Sequence, residues 1–440
     1  MNKHKLKLFN GVSIIGAGLA GCEAAMQVAK KNIPVRIYEM KPKKFTEAHK
    51  SPQFSELVCS NSLKSDSLEK AAGILKNEMI SLGSIVLESA LKNRVPAGGA
   101  LGVDREGFSK YITNKINENK FIEVVNEEFT TIPFDIDKPL IISSGPLTSN
   151  TLSKSIEEFF GVKSLAFYDS ISPIILYDSL DKNHFFRASR YDDSEGDYIN
   201  CPLNEKEYKN FIFELIKSEK TEFHSFEKIK YFESCLPIEI MAARGEDTLR
   251  FGPMKPVGLI DPKTGKRPYA VIQLRKENKS ESMWNIVGFQ TKMKVNEQKR
   301  VFKLIPAFKN IEFLRFGSIH RNTYLNSPGK LINTLQTKKN RNIFFSGQLT
   351  GVEGYTESSA MGIVAGINAV RVFKNLEPIQ FPPTTAIGTL LNYISKEDKK
   401  DLQPMNINLG LFNIEKPKKN IASIVSSSKF DISNIIQTIK

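Results

Sequence analysis

The apolar positions first concentrate at Val12–Ile15, a short run that reads as a buried strand. A glycine-rich turn follows, then CEAAMQVAKKN (22–32), which reads as a helix. Val35-Arg36-Ile37-Tyr38-Glu39 is a second strand that ends in an acid, so the opening is a βαβ unit. Residues 66–92 have a helical pattern, with apolar positions at Ile74, Leu75, Met79, Ile80 and Leu82. The glycine loop Val95-Pro96-Ala97-Gly98-Gly99-Ala100 comes next, then a helix over 105–119 and a strand-like stretch over 123–132. PLIISSGP (139–146) is a further apolar strand closing on Gly145. From 151 to 335 this rhythm is lost, and prolines and aromatics increase. It returns with a strand ending in glycine at 342–347 and a helix over about 358–374. The pattern predicts an α/β protein: a Rossmann-like nucleotide-binding domain in two segments, 1–150 and 336–412, with a mixed α+β domain (151–335) inserted. Residues 413–440 are expected to form a peripheral tail.

The 440 residues suit two to three domains at ~150 residues each. With 40% hydrophobic and 25% charged residues, disorder, collagen and coiled coil are excluded as whole-chain descriptions. Net charge is +14. That excess suits a polyanion such as nucleic acid, although a coding bias toward Lys, Asn and Ile explains it equally well. The four cysteines form no CxxC pair and match no zinc spacing, so no metal is expected and a reducing cytoplasm is the default. No run reaches the ~18 apolar residues of a membrane span. The short apolar stretch after the basic amino terminus runs straight into glycines and does not read as a signal peptide.

Chemistry enters with Gly16-Ala17-Gly18-Leu19-Ala20-Gly21. Gly16 permits a tight turn, Gly18 lets backbone approach a pyrophosphate, and Gly21 lets helix and sheet pack closely. The helix amino terminus supplies amide donors for phosphate. Glu39 stands where a carboxylate accepts from ribose hydroxyls. It opposes a 2′-phosphate, favouring FAD or NAD over NADP. Gly347, Gln348 and Gly351 open a second strand–glycine–helix element, of the kind that completes an FAD site in two-segment proteins. Cys59 and Cys235 both lie in polar, loop-like surroundings. A thiolate can add to C6 of uracil and so make C5 nucleophilic, yet a given cysteine is more often a small buried hydrophobe. Cys22, on the first helix, and Cys201 read as structural. The basic and aromatic segment 249–269 suits RNA contact or a solvated loop.

These residues sit within longer runs: GAGLAG (16–21), ELVCSNSLKSDSL (56–68), VPAGGALGVDR (95–105), FGPMKPVGL (251–259), DPKTGKRPYAVIQLR (261–275), HRNTYLNSP (320–328) and GQLTGVEGY (347–355). Over about residues 12–412 the chain resembles the folate- and FAD-dependent tRNA (uracil-5-)-methyltransferases of bacteria, some of which act on 23S rRNA. More distantly it is similar to the glucose-inhibited division protein A family. The resemblance implies that NADH or NADPH reduces bound FAD. It also implies that the carbon of 5,10-methylenetetrahydrofolate passes by way of the flavin to C5 of a uridine, the tRNA T-loop uridine first among targets. It marks Cys235 as the nucleophile on uracil and Cys59 as an assisting thiol near the flavin. The chain departs from the family at Ser234, where glycine is usual, and at Leu236, Cys22 and Met361. The alternatives are the same chemistry on 23S rRNA, a flavin-binding RNA chaperone without transfer activity, and a small-molecule flavin oxidoreductase.

Overall fold

The structure is a computed structural model that describes residues 9–161, 165–190, 196–221, 236–397, 402–412 and 414–440. Strand β1 (Val12–Ile15) leads through Gly16–Gly18 into helix α1 (Leu19–Ala29) and strand β2 (Val35–Tyr38). The helical stretch expected over 66–92 is two helices, α2 (Ala71–Ser81) and α3 (Ile85–Lys92). Gly83, at φ +74°, breaks the path between them. A small hairpin, β3 (Arg94–Val95) with β4 (Gly102–Val103), precedes α4 (Arg105–Asn117). Strands β5 (Ile122–Val125) and β6 (Leu140–Ile142) follow, then helix α5 (Asn150–Phe160).

The next stretch builds a different sheet. Strand β7 (Leu165–Ile171) is followed by β8 (Ile174–Leu176), β9 (Phe186–Ala188) and β10 (Tyr198–Leu203). Helices α6 (Glu205–Lys217) and α7 (Ile238–Ala242) come next, then β11 (Ala270–Lys276), β12 (Met283–Ile286), α8 (Val295–Phe302), β13 (Phe313–Arg315) and β14 (Ser318–Tyr324). Six of these strands pair antiparallel in the order β13-β8-β12-β11-β10-β9, over a core centred on Trp284, Tyr208 and Phe289. Strands β7 and β14 pair separately as an antiparallel ribbon.

The chain then returns with β15 (Ile343–Phe345) and the long helix α9 (Tyr355–Phe373). β15 lies parallel to β6, which completes a five-stranded parallel sheet, β15-β6-β1-β2-β5. In order along the chain this is 3-2-1-4-5, the doubly wound order of dinucleotide-binding proteins. The central strands β6 and β1 are buried throughout because both faces of the sheet are covered. Helix α5 buries Ile156 and Phe160 with Ile142 and Phe345, so the packing of this sheet continues past residue 150.

Helices α1 and α9 cross at very short range. A Cβ on Gly362 would lie 2.2 Å from the Ala20 carbonyl oxygen, and one on Gly366 would lie 2.7 Å from that of Ala24. Two further helices, α10 (Ala386–Ser395) and α11 (Ile421–Ile439), follow. The tail expected to be peripheral therefore contains a 19-residue helix. Its Ile424, Ser428, Ile432 and Ile435 are buried on one face. The buried carboxylate of Glu78, on α2, joins these parts. It accepts from the Ala386 and Ile387 amides at the start of α10 (2.6 and 2.9 Å) and from Ser428 Oγ (2.7 Å).

Candidate active site

The parallel sheet ends its strands at one edge, and there the turns after β1, β2, β6 and β15 enclose a groove of about 1110 Å³, measured out to its open mouth. Such crevices beyond the carboxyl ends of strands, at the point where strand order reverses, are where open α/β sheets bind ligands. Gly16, Ala17, Gly18, Leu19 and Ala20 line one wall, Glu39 a second, and Gly347 with Gln348 a third.

Each glycine has its own reason. Gly16 is held at φ +94°, and a Cβ there would meet the Ser143 carbonyl oxygen at 2.7 Å. At Gly18 a Cβ would meet nothing within 4 Å. This position leaves open space where a ligand would lie. Gly21 does not line the groove; its Cβ would fall 1.9 Å from the Gly16 carbonyl oxygen, so it serves helix–sheet packing. Gly351 also stands outside. It sits at φ +92°, and a Cβ would meet Leu402 at 2.2 Å. Helix α1 begins at Gly18 with no side-chain cap and no acid in its first turn, which leaves its amide end free to hold a phosphate. Glu39 is buried. Its carboxylate accepts from the Ala17 amide (2.8 Å) and the Lys41 amide (2.9 Å), which fixes it beside the glycine turn. These features fit a dinucleotide: amides for the pyrophosphate, a carboxylate for a ribose, and a glycine wall without side chains.

The sequence left several groove residues unassigned. Ser143, Ser144 and Gly145 close it after β6, and His49, Ser55, Glu56 and Val58 close it from the loop after β2. The strand–glycine ending of PLIISSGP was the signal for the first group; nothing local marked the second. Burial pulls His49 down to about 4, so its ring is neutral near pH 7, with Nδ1 2.6 Å from Thr46 Oγ1.

Cys59 stands one residue beyond the groove wall formed by Val58, and is partly exposed. Tyr355, at the start of α9, also lines the groove. Its hydroxyl oxygen accepts from the amides of Cys59 (2.7 Å) and Ser60 (3.2 Å), and burial pushes the phenol above its ordinary range. Arg275 donates to Asn61 Oδ1 (2.9 Å) and Ser60 Oγ (2.7 Å). Arg105 donates to the Leu57 and Cys59 carbonyls and pairs with buried Glu277. Cys235 lies outside the described residues. Cys22 and Cys201 are fully buried; burial pushes the Cys22 thiol up to about 12 and raises that of Cys201 further. The Cys22 thiol lies 3.3 Å from the Ala17 carbonyl oxygen, behind the glycine turn. In the basic segment, Phe251 is 83% exposed and the Arg250 guanidinium stacks 3.7 Å from the Tyr269 ring centroid.

Fold and groove together define a dinucleotide-binding α/β protein of the two-segment kind, with a partly exposed cysteine beside the groove. The profile of the family described as Glucose inhibited division protein A matches residues 11–377. The crystal structure of Aquifex aeolicus GidA (form II crystal) superposes with a TM-score of 0.72 at 16% identity, covering 98% of this chain and 73% of that one. The chain is 53% identical over 401 residues to the methylenetetrahydrofolate--tRNA-(uracil-5-)-methyltransferase TrmFO of Heliobacterium modesticaldum, covering 91% of each. It is 54% identical over 401 residues to the enzyme of that name from Enterococcus faecalis, covering 91% of this chain and 92% of that one. The chain belongs to this methyltransferase family. Among the described residues, no helix is long and apolar enough to cross a membrane.

Proposed function

We propose that this chain methylates C5 of a uridine in tRNA in the cytoplasm. The carbon comes from 5,10-methylenetetrahydrofolate, and FAD is reduced by NADH or NADPH. The observation that carries the reading is the place of Cys59: a partly exposed cysteine one residue outside a groove built for a dinucleotide, in a chain 53% identical to an enzyme named for this reaction. The amide end of α1 and Gly18 would hold the pyrophosphate of FAD, and Glu39 would hold a ribose. Gly347 and Gln348 close the far wall. FAD, when bound, supplies the relay that a methylene donor requires, because methylene is two electrons more oxidised than methyl.

Uracil C5 becomes nucleophilic only when C6 carries an added nucleophile, and the C5 proton must leave after the carbon is attached. Cys235 is the candidate for the addition, and Cys59 assists on the flavin side. The +14 charge and exposed Phe251 suit a polyanion with bases available for stacking.

The test incubates the FAD-loaded protein with NADPH, methylene-labelled 5,10-methylenetetrahydrofolate and RNA lacking 5-methyluridine. Label at the tRNA T-loop uridine is expected. Label confined to 23S rRNA moves the substrate. No label in any RNA, with flavin bound and reducible, overturns the enzymatic reading in favour of a flavin-binding RNA chaperone.

A further inference from the structure

The loop that carries Cys59 is held from both sheets. Arg105 is the first residue of α4, and Asp104 caps that helix by accepting from the Gly107 amide at 2.8 Å. The guanidinium is therefore anchored in the parallel-sheet half of the molecule. It donates to the carbonyls of Leu57 and Cys59, the latter at 3.2 Å, and through Nε and Nη2 to the carboxylate of Glu277. Glu277 directly follows β11 of the antiparallel sheet, and its side chain is fully buried. A planar fork with five donors can serve two carbonyls and a carboxylate together; an ammonium cannot reproduce that geometry. Asn61 makes the same crossing, donating to the Val103 carbonyl (2.9 Å) and to the Lys276 carbonyl (2.8 Å).

We infer that the Arg105–Glu277 pair is a positioning device for Cys59: it fixes the loop's carbonyls against the end of β11, so that both sheets set where the thiol stands. The inference rests on the reading of Cys59 as a working thiol at the flavin groove. Breaking the pair leaves the thiol intact and shifts the peptide that carries it. It also frees the antiparallel sheet, which carries the basic segment, to move against the groove.

The experiment uses full-length, FAD-loaded protein bearing Arg105→Ala, Glu277→Gln or Cys59→Ala. Three quantities are read: FAD retained, the rate of Cys59 alkylation by iodoacetamide followed on the Cys59 peptide by mass spectrometry, and kcat with KM for tRNA methylation. Both pair variants are expected to keep FAD and to change the alkylation rate at least about threefold. They should lower kcat at least about tenfold with little change in KM, the cost of a small misplacement of a reacting group. Added ethylguanidinium should restore part of the kcat lost in Arg105→Ala. If the variants lose activity only in step with lost folded protein, while the folded fraction alkylates at the native rate, the inference fails. Should Arg105→Ala not fold, Glu277→Gln alone decides the matter. Full turnover by Cys59→Ala would instead overturn the role of Cys59, and the alkylation rates would still judge the clamp.

Discussion

At the scale of single residues, the most consequential groups are two buried carboxylates placed at helix starts. Glu23 accepts from Ser84 Oγ and from the Ile85 and Val86 amides, and Glu78 accepts from the start of α10 and from Ser428. Burial raises both to about 7, against hydrogen bonds that pull the other way. The folded chain then keeps protons between pH 4.5 and 7 that the unfolded chain has released, so their contribution to stability declines as pH rises through that window and is flat above it. Buried His49 acts in the opposite sense, costing stability as pH falls below its unfolded range toward 4. The effect of one carboxylate is therefore read as a difference. Glu78→Gln should flatten the fall in unfolding free energy between pH 5 and pH 7 relative to the native chain. Urea melts across that range check it; an unchanged slope would exclude Glu78 as a titrating group. None of this was legible in the sequence, where Glu23 and Glu78 are ordinary acids within helices. Their partners lie 61 to 63 and 308 to 350 positions away.

At the scale of elements, the strand–turn–helix pieces were legible because their causes are local. Val12–Ile15 is apolar but for Ser13, Ile343–Phe345 is apolar throughout, and each runs into a glycine that only a turn explains. The helix after the second motif begins at Tyr355 rather than near 358, because Gly354 at φ +107° ends the loop there. The tail helix was missed through composition: Lys, Ser and Asn dominate its exposed side. The spacing of Ile424, Ser428, Ile432 and Ile435 is nonetheless that of a helical stripe. The contact of α1 with α9 depends on absent side chains. Gly362→Ala places a methyl group 2.2 Å from the Ala20 carbonyl oxygen, a distance only backbone movement can relieve. The expected cost is about 1–3 kcal/mol, since overpacking forces shifts of this kind. Because α1 opens onto the groove, weaker FAD retention should accompany it. Thermal melts with and without added FAD measure both.

At the scale of the whole molecule, the sequence carried the α/β class and the two-part nucleotide site, but not the way the halves are joined. Arg105 and Glu277 lie 172 positions apart, and Arg275 and Asn61 lie 214 apart. No periodicity connects such pairs; they are products of the closed fold. The groove itself is assembled from distant stretches, since β15 comes to lie beside β6 only after the antiparallel sheet has intervened. That topology has a consequence for the ribosome. The peptide leaves the tunnel amino end first, so the glycine turn and Glu39 emerge long before Gly347, Gln348 and Tyr355. Until then the nascent sheet has an open edge at β6 and no third wall for its ligand, a state in which apolar strands are prone to mispairing. Flavin capture should thus be a late event in synthesis. Ribosome-stalled chains exposing residues 1–340 should hold no FAD, and those exposing the full 440 residues should hold it, as flavin fluorescence of the purified complexes would report.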